Sequence, residues 1–285
     1  MATVTFIATA TELLSVLGSL KDLPTSPPSL YIDLEGAKLS RHGTVSLFTL
    51  YVLPQDTVYI IDIHNLGATA FSTPASNAAV AASSALGTEV SVPEPLPTLK
   101  SILESPTIPK VFFDVRNDSD ALFAHYGINL QCIHDLQLME LATTPRNQRY
   151  VSGLANCIRF DSGISQAGRQ RAENVKNQGI MLFAPEHGGS YEVFNERPLN
   201  RIIQEYCVQD VVHMPKLWMV YQARMDLFWK VMVQEATEAR VQESQSAGYI
   251  PNGNHKAFGC WSAAQITAAR RRWNVGRKSG LCSRT

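Results

Sequence analysis

No two of the chain's five cysteines stand two residues apart. Cys132, Cys157, Cys207, Cys260 and Cys282 are scattered and odd in number. That excludes a paired disulfide framework and a zinc-finger ligand set, and it suits a reducing intracellular compartment, cytoplasmic or nuclear. Long apolar runs are missing as well. No stretch approaches the roughly 18 residues that a membrane helix needs, so no membrane partner is expected. The first ten residues lack a basic group and Glu12 interrupts the apolar run, so they do not read as a secretory leader. Charged residues make up only 18% and the net charge is zero. A highly charged disordered chain is thereby excluded, and so is attachment to nucleic acid by bulk charge alone. The P-loop, nucleophile-elbow and H-E-x-x-H patterns are absent too.

What is present is a core. Hydrophobic residues are 45% of 285, enough for one large domain or two small ones. Val4–Ile7 reads as a short strand. A helix follows over Thr11–Leu20, with Thr9 or Thr11 as its cap and Leu13, Leu14, Leu17 and Leu20 at helical spacing. Leu30–Asp33, Val45–Leu53 and Val58–Asp62 read as strands, the last two joined in a hairpin. Residues 68–97 are rich in Ala, Ser, Thr and Pro and read as a surface insertion with little to bury. Beyond it come a helix from Leu99, a strand over Lys110–Phe113 and a helix over Asp118–Tyr126 ended by Gly127. Helical character is expected over Ile133–Leu141. Arg146–Asn200 looks polar and poorly periodic, and Arg169, Arg171 and Lys176 within it could touch phosphates, with a solvated face as the favoured reading. A helix over Leu199–Met214 and a long amphipathic one over Leu217–Ser244 complete the pattern, with Pro215 between them. Strands first grouped, then alternating with helices, predict a mixed sheet flanked by helices, an α/β fold.

Three features could carry chemistry. Asp33-Leu34-Glu35 sits at the end of an apolar strand, so both carboxylates project from one face. Such a pair is costly unless a cation neutralises it, and hard divalent ions take oxygen ligands of this kind. The second is the strand-to-helix junction Phe113–Asp120, with Asp114, Asp118 and Asp120. The third is Tyr206-x-x-x-Asp210, where a phenol and a carboxylate share a helix face. Each alone has a plain structural account: a loop acid pair, a helix cap, a core tyrosine beside a surface acid.

Taken in order, the three resemble the motifs of the DEDD superfamily of 3′→5′ exonucleases, in the tyrosine variant that includes ribonuclease D and the Werner-type exonucleases. Tyr31-Ile-Asp-Leu-Glu-Gly36 looks like the first motif, Val111–Ile128 like the second with Asp118 at its acidic position, and Arg197-Pro-Leu199 with Tyr206–Val211 like the third. The likeness runs from Val4 to Tyr221 and resembles most the Egalitarian-like branch. It implies a ribonuclease-H-like fold over 1–222, with a helical extension and basic tail over 223–285. It also implies two Mg²⁺ or Mn²⁺ ions. Asp33 would bridge them, Glu35 and Asp210 would complete the first, and Asp118 would hold the second. Tyr206 would orient the attacking water. The implied substrate is single-stranded RNA or DNA with a free 3′ end, RNA favoured; the alternative is a catalytically silent nucleic-acid-binding or adaptor protein. After Ala247 no acidic residue occurs and seven basic ones do. Arg270, Arg271, Arg272 and Trp273 are therefore candidate nucleic-acid contacts, with a solvated tail or localisation signal as the other account.

Overall fold

Three runs rich in β-branched and aromatic residues make the middle of a six-stranded sheet in the computed structural model, which describes residues 2–74, 97–144 and 149–281, with side chains to residue 275. The strands are β1 (Thr3–Ile7), β2 (Leu30–Glu35), β3 (Leu47–Val52), β4 (Thr57–Asp62), β5 (Lys110–Phe112) and β6 (Ile133–Asp135). Their order is β1-β4-β3-β2-β5-β6. β2, β3 and β4 pair antiparallel, whereas β1 on β4, β5 on β2 and β6 on β5 are parallel. The sheet is mixed and flanked by helices, as the alternating pattern predicts.

The helices are α1 (Ala10–Ser19), α2 (Ile63–Leu66), α3 (Thr69–Ser72), α4 (Leu99–Leu103), α5 (Arg116–Tyr126), α6 (Leu136–Thr143), α7 (Leu154–Asp161), α8 (Gln166–Phe183), α9 (Arg201–Val212), α10 (Met214–Arg224), α11 (Leu227–Gln245) and α12 (Ala263–Leu281). Thr9 caps α1 in a reciprocal capping box with Glu12. Gly127, left-handed at φ 60°, ends α5.

Side-chain alternation divides the sheet's two faces between two cores. Leu30, Ile32 and Leu34 of β2 join Phe48, Leu50 and Val52 of β3 in a core that includes Leu13 and Leu17 of α1 and Leu122 of α5. Tyr31 of β2 faces the other way, with Leu47 and Tyr51, into a core containing Ile203, Tyr206 and Cys207 of α9 and Leu217 of α10. The period of two thus sends Asp33 and Glu35 toward α9. That single consequence positions the site.

The architecture departs from the pattern reading in four places. Ala70 and Phe71, at the start of the stretch read as an insertion, form α3 and are buried. Phe71 packs on Tyr126 with ring centroids 4.5 Å apart, and burying such a ring stabilises by about 1.5–3 kcal/mol. Residues 75–96 lie outside the described residues. Ile133–Asp135 is a strand, not the start of a helix. The polar stretch before Asn200 contains the 18-residue α8. The long C-terminal helix is two: Met225 is extended and Asp226 caps α11 by accepting from the Trp229 N–H at 2.8 Å. α11 then packs on α5 and β6, where the buried Arg240 donates to Asp135 at 2.7 Å.

Candidate active site

Asp33 and Glu35 lie on the α9 side of β2 and keep partial access to solvent, while Asp210 and Tyr206, four residues apart on α9, are buried. Carboxylate oxygens of Asp33, Glu35 and Asp210 all lie within 4.8 Å of one another. Such crowding in a recessed place disfavours charge. Burial pushes the Asp33 carboxyl well above its ordinary value, and the charges of Glu35, Asp210 and Asp118 add to the shift. Glu35 moves the same way, by burial and then by Asp210 and Asp118. Burial also raises Asp210, against Lys176 and the Tyr206 hydroxyl.

The acid-rich junction resolves by partner. Asp114 is paired with Arg116, and Asp120 accepts from the Arg41 side chain at 2.6 Å. Burial alone would raise Asp114, but Arg116, Arg240 and Lys256 hold it low. Asp118, in the first turn of α5, is buried with Oδ1 lacking a hydrogen-bond partner among the described residues. Burial and the Asp114 charge push its carboxyl up to about 8, opposed by Lys256. It stands outside the 4.8 Å group, yet its charge reaches Asp33 and Glu35.

Four acids raised together, one with an orphaned oxygen, form a donor set that is incomplete without cations. Oxygen-only ligands suit Mg²⁺ or Mn²⁺ rather than softer metals. The donor set therefore fits the divalent ions that the three motifs imply.

Tyr206 is fixed from behind. Gly179 of α8 lies so close that a Cβ there would stand 2.6 Å from Tyr206 Cδ2. Phe183 meets the ring edge-on at 5.3 Å. Burial raises the phenol well above its ordinary value, and Asp210, Glu35 and Asp33 add to that. These effects favour the protonated hydroxyl.

Pattern reasoning named Lys176 but favoured a solvated face for it. Its Nζ is 5.8 Å from the Tyr206 ring centroid, and its charge opposes the shifts of Asp33, Glu35 and Asp210. Its place beside the acids depends on how α8 packs on α9, which spacing does not show. A cavity of ≈ 250 Å³ opens beside it, walled by Asn156, Arg159, Arg169, Lys176, Gln209 and Asp210. Arg171 is exposed. The basic tail residues are not all free. Arg270 pairs with Asp226 at 3.2 Å and lies 4.2 Å over the Phe228 ring, and Trp273 meets Phe228 at 6.0 Å. Arg271 and Arg272 are exposed.

The 3′-5′ exonuclease family matches residues 3–219, which span β1 to α10 and hold all four acids and the tyrosine. The chain belongs to the 3′-5′ exonuclease family. Among solved structures it is similar to Trypanosoma brucei RNase D in complex with RNA U12, with a TM-score of 0.66 and 17% identity over 94% of this chain and 79% of that one. The catalytic core of RRP6 from the same organism gives 0.56 and 14%, over 85% and 52%. Escherichia coli RNase D gives 0.51 and 17%, over 87% and 52%. At these identities the likeness is one of fold: a ribonuclease-H-like sheet with a helical extension. No curated protein matches the chain in sequence. No helix among the described residues is long and apolar enough to cross a membrane.

Proposed function

We propose that this exonuclease hydrolyses single-stranded RNA, and DNA less readily, from a free 3′ end by a two-metal mechanism. The observation that carries the reading is the convergence of Asp33, Glu35 and Asp210 oxygens within 4.8 Å, with Tyr206 and Asp118 alongside. Asp33, Glu35, Asp210 and Asp118 would hold two Mg²⁺ or Mn²⁺ ions. When bound, these neutralise the carboxylates and stabilise charge on the attacking and leaving oxygens.

The chain's own residues do the rest. Tyr206, protonated and wedged between Gly179 and Phe183, holds the attacking water by a hydrogen bond. Water adds to the terminal phosphorus as the bond to the preceding 3′ oxygen breaks. That oxygen leaves as a hydroxyl, and a nucleoside monophosphate is released. The Lys176 ammonium faces the carboxylates and offers a cation to the phosphate oxygens. The cavity beside it, with Arg159 and Arg169 on its wall, offers a seat for the terminal nucleotide. The complex of the T. brucei relative with RNA favours RNA as the substrate. Residues 1–222 act as the catalytic domain, and 223–285 as an extension that braces it. Free Cys132, Cys157, Cys207 and Cys260 suit a reducing cytoplasm or nucleus.

The test is incubation of 3′-labelled and 5′-labelled RNA and DNA single strands with Mg²⁺ and with Mn²⁺. A ladder shortening from the 3′ end, lost with EDTA and in Asp33→Asn, is the expected result. Intact strands under every condition would leave the adaptor alternative standing.

A further inference from the structure

Between α11 and α12 the chain runs as a strap across the second motif. Tyr249 Oη donates to Asn117 Oδ1 at 2.9 Å, and Lys256 Nζ donates to the same oxygen at 2.6 Å. Arg116 in turn donates to the Lys256 carbonyl at 3.0 Å. Asn117 is the neighbour of Asp118, so the strap lies against the catalytic end of α5. Two residues further on, the strap pairs with another segment. The Val151 N–H donates to the Ala257 carbonyl and the Gly259 N–H to the Arg149 carbonyl, making an antiparallel bridge between Tyr150 and Phe258.

That bridge places two rings together. Tyr150 and Phe258 have centroids 5.3 Å apart and planes 34° apart, yet they are 53% and 45% exposed. The Arg149 guanidinium lies 5.4 Å from the Tyr150 centroid. Residues 247–285 contribute basic groups and no acidic one. Exposed rings on a hydrogen-bonded backbone, with a cation beside them, are what a stacked base and its phosphate require. From Phe258 to Lys256 is two residues, at most about 7 Å of chain. The rings therefore stand within a short oligonucleotide's reach of Asp118.

We infer that Tyr150 and Phe258 form a base-stacking platform, with Arg149 as its cation, for a nucleotide of single-stranded nucleic acid upstream of the bond being cut. This rests on the reading of the site as an exonuclease. One stacked base contributes about 5- to 150-fold in affinity. It does so without releasing counterions, so its loss leaves the salt dependence of binding alone.

The experiment uses the full chain carrying Asp33→Asn and an octanucleotide. Tyr150→Ala with Phe258→Ala should weaken binding at least fivefold, by the same factor at every salt concentration. Tyr150→Phe should bind like the parent, because the ring remains. In the active chain the double alanine variant should lower the ratio of kcat/KM for an octanucleotide to that for a dinucleotide. Unchanged octanucleotide affinity with an unchanged melting temperature would overturn the platform, and so would a loss shared equally by the dinucleotide. Failure of the parent chain to cleave any strand would instead overturn the exonuclease reading.

Discussion

Asp33 is the residue on which repulsion and the proposed catalysis meet. It feels Glu35, Asp210 and Asp118 together. Asp33→Asn should therefore abolish hydrolysis and, in EDTA, raise the melting temperature, because one repelling charge is gone. Thermal melts beside an activity assay check both halves; a variant that loses activity and also melts lower would point to a structural role. Tyr206 separates differently. Tyr206→Phe keeps the ring against Gly179 and Phe183 and removes only the hydroxyl. Its rate should fall about 10²–10⁴-fold with little change in melting, as read by single-turnover kinetics. Lys176→Met would test the cation that pattern reading left on a solvated face: kcat should drop, and the loss should be smaller for Lys176→Arg.

At the scale of elements, the contact of α8 with α9 decides where Tyr206 points. Gly179→Ala would put a methyl 2.6 Å from a ring carbon. The helix or the ring must give way, at a cost of about 1–3 kcal/mol. Urea denaturation should show that loss, and activity should fall beyond what the lost stability explains. The same contact shows why some elements were legible in the sequence and others were not. β2, β3 and β4 announce themselves through β-branched and aromatic runs, and the alternation in β2 already placed both acids on one face. β6 is three residues long, too short for any period to show. α8 buries only Ala172 and Gly179, so it has almost no apolar stripe to read. The break at Met225 carries neither Pro nor Gly; Asp226 makes it by capping. Asp118 could be aligned by motif, but its distinction from Asp114 and Asp120 is a matter of partners, and Arg41 reaches Asp120 from 79 residues away.

On the scale of the whole molecule, the site opposes the fold. Asp118 has an ordinary value of 3.8 and is raised to about 8. The native state therefore binds more protons than the unfolded chain between those values. Stability in EDTA is greatest below pH 4 on this account and declines as pH rises toward 8. Mg²⁺ or Mn²⁺ should flatten the decline by binding only the folded form. Melting temperatures from pH 5 to pH 8, with and without metal, check this; a metal-free protein that gains stability toward pH 8 would contradict it. The basic tail divides by exposure. Arg271→Ala with Arg272→Ala should lower the log–log salt slope of single-strand binding by about 1.4, at about 0.7 per phosphate contact. Equal slopes would place those arginines off the path of the strand.

The brace on Asn117 also has a history in time. Asn117 and Lys256 are 139 residues apart. At 5–20 residues per second, the second arrives roughly 7–28 s after the first. Throughout that interval a nascent chain holds Asp33, Glu35 and Asp118 in sequence, and Asp135 already accepts from the N–H groups at the start of α5, but the Lys256 contact with Asn117 is still to come. The strand that bears the first acids is thus made long before the segment that braces the neighbour of Asp118, and that brace is a late addition in the synthesis of each molecule.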